Sequence, residues 1–151
     1  MEEQTIVMMK PEALPRLHFI RKSLASVGRI VWSRSVHINT EVLSEIYRSQ
    51  RSEFSKATFD HLSGQALPVF VIEGNSIIDR ISTLVGNNTN PELCAEHTLR
   101  KALGFQLGFR SRNLGGGFFY YYNFLHCSRN EQEAVEHIKA LTDPLLVSNP
   151  I

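Results

Sequence analysis

The chain has 151 residues, 42% hydrophobic and 21% charged, with 16 basic against 15 acidic side chains, the balance of one ordinary globular domain spanning residues 1–151. No apolar run of about 18 residues is present, and Met1-Glu2-Glu3-Gln4 is acidic where a secretory signal is basic; this argues against a membrane span or export peptide and sets a cytoplasmic expectation. Two cysteines, Cys94 and Cys127, are too few for a disulfide framework and are expected as free thiols.

In chain order, the apolar run Gln4 to Lys10, stopped by Pro11, predicts a central strand with a lysine at its end. Leu17, Phe19, Ile20, Leu24 and Val27 recur at helical spacing before Gly28, predicting a first helix. Arg29 to Ile38 predicts a second strand. Asn39 or Thr40 can then cap a helix carrying Leu43, Ile46 and Tyr47, and Ser55 to Leu62 predicts a short helix before Gly64. Leu67 to Gly74 predicts a buried strand, Ser76 to Val85 a helix closed by Gly86, and Gly86 to Pro91 is turn chemistry. The aromatic run Phe118 to Leu125 predicts the last strand, and Ser128 or Asn130 can cap a final helix through Ala134, Val135, Ile138 and Leu141. The order is that of an α+β, ferredoxin-like split βαβ fold, an antiparallel sheet with helices on one face.

Charge is unevenly spread. His97 to Asn130 holds Arg100, Lys101, Arg110, Arg112 and Arg129 with no Asp or Glu, so this stretch is +5 while the other residues, 11 basic and 15 acidic, sum to −4. An anionic partner is expected there. The glycine-rich phosphate loops and the His-Glu-x-x-His zinc signature are absent. Cys94-x-x-His97 with His126-Cys127 is a poor zinc set by spacing. What remains is Lys10 after the first strand, Thr89 in the long loop, Arg100 after it, and Asn123 to Ser128 at the end of the last strand.

These residues carry a resemblance. Thr5-Ile6-Val7-Met8-Met9-Lys10-Pro11-Glu12 resembles the opening strand and Lys-Pro-Asp turn of the nucleoside diphosphate kinases. Thr89-Asn90-Pro91 followed by Thr98-Leu99-Arg100 is similar to that family's nucleotide loop and Thr-Ile-Arg, and Asn123-x-x-His126-Cys127-Ser128 to its Asn-x-x-His-Gly-Ser. The resemblance implies ping-pong phosphoryl transfer between nucleoside tri- and diphosphates, with Mg²⁺ bound alongside the nucleotide and a phosphohistidine on His126. A neutral imidazole suits that role, since it attacks phosphorus without a separate base. Lys10 and Arg100 would supply positive charge, Thr89 a hydroxyl, Asn123 a ribose contact, Tyr47 a neighbour to the histidine and Phe54 a base-stacking ring. The family also implies a homo-oligomer, whether hexamer, tetramer or dimer.

Several positions depart from the family pattern. Ser82 stands where a second phosphate-binding arginine is expected, with Arg80 nearby. His137 replaces the glutamate that holds the active histidine's ring, leaving Glu133 or Glu136 as substitutes. Cys127 replaces a glycine, and the segment from Tyr47 to Phe54 is shortened. The 25 residues between Arg100 and His126 include an insertion at about 104–117, from which Arg110 or Arg112 could reach the phosphates. Retention of Lys10, Arg100, Asn123 and His126 favours an active kinase. Ser82 and His137 favour the alternative, a kinase-like nucleotide-binding or scaffolding module with little turnover. A third reading, an RNA-stacking sheet built on Phe118 to Tyr122, lacks the aromatic pair it needs between Gln4 and Lys10.

Overall fold

The computed structural model describes residues 2–151. Its elements are β1 (Glu2–Met9), α1 (Leu17–Ala25), β2 (Arg29–His37), α2 (Thr40–Ile46), α3 (Ser55–Leu62), β3 (Ala66–Asn75), α4 (Ile77–Val85), α5 (Leu99–Leu107), β4 (Ser111–Gly115), β5 (Phe118–Tyr121), β6 (Leu125–Cys127), α6 (Glu131–Leu141) and β7 (Val147–Pro150). Five strands form an antiparallel sheet in the order β6-β1-β3-β2-β7, and β4 and β5 form a separate hairpin. Asn39, Thr98 and Asn130 cap α2, α5 and α6, each side-chain oxygen accepting a backbone N–H of the first turn. Among the described residues no helix is long and apolar enough to cross a membrane.

The core shows why β1 and β3 read as continuous apolar runs. Successive side chains alternate between two buried faces, so Val7, Met9, Phe70 and Ile72 pack with α1, α4 and α5. Ile6, Met8, Val69 and Val71 pack with α2, α3 and α6 on the other side. The expectation of helices on one face is thereby corrected. Both faces of the central strands are apolar, and the helices between β2 and β3 cover the second one.

One more correction concerns the last strand. The run Phe118 to Leu125 is not one strand: Phe124 takes a left-handed backbone (φ 73°), which separates β5 from β6. Only the short β6 joins the sheet, beside β1. The insertion at 104–117 is ordered as the end of α5 and most of the β4–β5 hairpin, whose turn is made by Gly115, Gly116 and Gly117, all at positive φ. A Cβ on Gly104 would overlap the Phe109 ring, so this glycine lets the chain leaving α5 fold back on the helix. Residues 147–150 form β7 along the edge of β2.

Candidate active site

Strand register assembles the site. Met8 of β1 pairs with His126 of β6, and Lys10 follows two residues later, so period-two alternation puts Lys10 and His126 on the face covered by α2 and α6. Tyr47 ends α2 beside them and His137 comes from α6. A cavity of about 570 Å³, within the range of small-molecule sites, is lined there by Lys10, Tyr47, Thr89, Arg100, Asn123 and His126. Phe54 and Ser82 also border it. The structure thus brings together the candidates scattered along the chain.

The His126 ring is held on one side and open on the other. Its Nε2 lies 3.2 Å from His137 Nδ1, which also stands 3.2 Å from the buried Ser128 Oγ. The Tyr47 ring packs against it with centroids 5.0 Å apart. No hydrogen bond engages His126 Nδ1 among the described residues. Burial first, then the neighbouring His137, Lys10, Arg100 and Arg129, holds this imidazole well below the usual histidine range, so it is neutral. Burial also lowers His137, against the pull of Glu133, Glu136 and Glu45. Neither Glu133 nor Glu136 takes the place of the glutamate: Glu133 accepts from the Arg129 N–H, Glu136 pairs with Arg48, and His137 itself meets the ring.

Lys10 is buried and donates to Asn123 Oδ1 at 2.7 Å, with its ammonium 5.6 Å from the Tyr47 ring centroid. Burial pulls its pKa down to about 8, with Glu12 opposing and Arg100 assisting. Asn123 Nδ2 donates to Thr89 O at 3.2 Å and ties the last loop to the long one. The buried Tyr47 hydroxyl has no partner among the described residues, and burial pushes its pKa well up, leaving a protonated donor.

Arg100 differs most from its expected part. Its guanidinium donates to Asn123 O (3.2 Å), Gly86 O (3.0 Å), Asn88 O (3.2 Å) and Leu125 O (2.7 Å). With five N–H groups in all, it keeps one donor for an anion and chiefly clamps the long loop to β6. Arg110 and Arg112 are not brought to the cavity: Arg110 stacks over Tyr122 at 4.6 Å, and Arg112 pairs with Asp60 at 3.0 Å. Arg80 lines a separate cavity of about 700 Å³ with Asp79 and His97. Ser82 Oγ is 3.5 Å from Asn87 Oδ1. Among the described residues no group of three His, Cys, Asp or Glu gathers as a metal site, and the buried Cys94 thiol donates to Asn88 O.

Sequence reasoning passed over Arg129. It lines the cavity, is exposed, and its guanidinium has no hydrogen-bond or ion-pair partner among the described residues. The signal was its place three residues after His126, inside the stretch without acidic residues. Phe119 and Tyr121 of the hairpin also line the cavity.

Residues 3–144 match the family model described as "Nucleoside diphosphate kinase". Over 111 residues the chain is 30% identical to the nucleoside diphosphate kinase of Archaeoglobus fulgidus, an alignment covering 70% of this chain and 72% of that one. The fold is similar to a halophilic nucleoside diphosphate kinase from Halobacterium salinarum in complex with CDP, with TM-score 0.75 at 21% identity over 99% of this chain and 93% of that one. It is also similar to a transition state mimic of the Borrelia burgdorferi enzyme with bound vanadate and ADP, with TM-score 0.72 at 18% identity over 99% and 92%. A family match spanning nearly the whole chain, over a sheet that sets Lys10 and His126 on one face, makes this chain a member of the nucleoside diphosphate kinase family.

Proposed function

We propose that the chain transfers the γ-phosphate of a nucleoside triphosphate to a nucleoside diphosphate through a phosphohistidine on His126. The observation that carries this is a neutral histidine with Nε2 held by His137 and Nδ1 unengaged, in a cavity lined by cations. A proton on Nε2, donated toward His137 Nδ1, leaves the lone pair on Nδ1. That pair forms an N–P bond as the bridging P–O bond breaks, and the electrons leave on the diphosphate product. In the second half-reaction a terminal oxygen of the acceptor diphosphate attacks the phosphorus and the imidazole leaves.

Phosphoryl transfer rests on positioning and on positive charge around the phosphate oxygens. Lys10 supplies one charge and Arg129, unpaired, supplies the one absent at Ser82. The Tyr47 hydroxyl and Thr89 add neutral donors. The cavity lining carries a single carboxylate, Glu133, which fits a Mg²⁺ that arrives on the phosphates rather than one caged by protein. Bound there, the ion neutralises phosphate charge. Nucleoside tri- and diphosphates are the substrates in this reading, in a cytoplasmic homo-oligomer as in the family pattern.

The engagement of Arg100 by four carbonyls favours a second reading, a nucleotide-binding module with little turnover. One experiment separates the two: the protein is mixed with γ-labelled ATP and Mg²⁺, examined for acid-labile, base-stable label, and chased with GDP. The kinase gives label that leaves as GTP and is absent in His126→Ala, which still folds because the ring is a cleft residue. ATP binding without label supports the binding module.

A further inference from the structure

The β4–β5 hairpin, which carries the insertion on past residue 117, reaches the same cavity as His126. Phe119 and Tyr121, two residues apart on β5, share one face of the hairpin, with ring centroids 6.5 Å apart and planes tilted by only 30°. Both line the cavity, and Phe54 borders it as well. Phe119 is 42% exposed, so one side of its ring is open to a ligand.

The opposite face of β5 is fastened. The Tyr120 hydroxyl lies 2.8 Å from His61 Nδ1, and His61 Nε2 lies 2.7 Å from Glu12 Oε1. Glu12 Oε2 in turn accepts the Phe124 N–H at 3.1 Å, so the chain of bonds runs from the hairpin to the loop that carries Asn123. Phe118 packs edge-on against Phe54 at 5.8 Å, under the Arg51 guanidinium at 5.1 Å. One side of the strand is therefore anchored, with Tyr120 at the cavity's edge, and the other offers two side-by-side rings inclined by 30° to the cavity.

A ligand matched to this lining is anionic where it meets Lys10 and Arg129 and flat and aromatic where it meets Phe119 and Tyr121. We infer that the inserted β4–β5 hairpin forms the nucleobase subsite, with Phe119 and Tyr121 as its stacking platform and Phe54, steadied by Phe118, as the neighbouring wall. The inference rests on the phosphotransfer reading for its choice of nucleotide as ligand. Stacking is tolerant of base identity because every base has a π-face, so the platform holds any nucleobase and discriminates against ligands that lack one.

The test compares ADP with ribose 5-diphosphate, which keeps the phosphates and sugar without the base. Calorimetric affinities are measured for the native protein, Phe119→Ala, Tyr121→Ala, the double variant and Tyr121→Phe, with γ-phosphate transfer followed alongside. ADP should bind the native protein about tenfold or more tightly than ribose 5-diphosphate. The double variant should lose most of that ratio through weaker ADP binding, with ribose 5-diphosphate affinity little changed, and Tyr121→Phe should retain it. An unchanged ratio in the double variant, or equal loss for both ligands, overturns the inference even if phosphotransfer is robust. ADP binding that obeys the pattern without any phosphohistidine upholds the subsite and overturns the kinase reading. No binding of ADP overturns both.

Discussion

Lys10 holds the most consequential charge in the cavity, and its burial makes that charge sensitive to pH. With its pKa pulled down to about 8, the free protein loses the ammonium as pH rises through that value, so nucleotide affinity should be constant below about pH 7 and fall above about pH 8. Calorimetric titration of ADP from pH 6.5 to 9.5 checks this. Lys10→Met should weaken binding by about tenfold or more at neutral pH and remove the step, since a charge-assisted hydrogen bond is lost. Lys10, Asn123 and His126 were legible in the sequence because each sits in a short motif whose strand or loop can be read locally, whereas Tyr47 was named only through the family resemblance. Arg100 was legible as a position but not in its role, since its bonds go to carbonyls 12 to 25 residues away. Arg129 was hidden as one exposed charge among several, and only the cavity distinguishes it. His137 looked like a loss, yet it occupies the place against His126 that the missing glutamate would hold.

At the level of elements, the hairpin shows what periodicity cannot reveal. Phe118 to Leu125 is apolar and aromatic throughout, and nothing local marks the break at Phe124. That residue takes positive φ because Glu12 binds its N–H and Lys10 N–H binds its carbonyl, both long-range contacts. The glycines have separate uses: Gly104 allows a close approach of Phe109, Gly108 caps α5 at positive φ, and Gly115 to Gly117 make a tight turn. The hydroxyl of Tyr120 should be a measurable fastening. Tyr120→Phe leaves His61 Nδ1 without its partner in a nearly buried site and should cost about 1 to 3 kcal/mol in urea unfolding. Hydrogen exchange should quicken between Arg110 and Tyr122, while amides of β1 and β3 keep their protection.

For the molecule as a whole, the two buried imidazoles tie stability to pH. Both His126 and His137 have folded pKa values below that of an unfolded histidine, about 6.5. The unfolded chain therefore takes up protons first as pH falls, and stability is full above about pH 6.5 and declines below it, by at most about 1.4 kcal/mol per pH unit for each ring. Urea midpoints at pH 7.5, 6.5 and 5.5 should show this decline, and a His126→Asn, His137→Gln double variant should flatten it. The ferredoxin-like class was legible because strand order and helix spacing are local signals. The covering of both sheet faces was not, although the unbroken apolar runs in β1 and β3 already required it.

The interior place of β1 bears on how the protein is made. Its two neighbours are β3 and β6, so β1 leaves the ribosome well before its second partner, which follows only when residues near 127 have emerged. Throughout elongation the segment Thr5–Met9, apolar on both faces, presents an unpaired edge, the kind of segment on which nascent chains aggregate and which chaperones cover. Because β6 carries His126, the step that closes this edge also completes the cavity. The cavity can hold a nucleotide only once β6 has docked, and the ligand then helps to retain that strand.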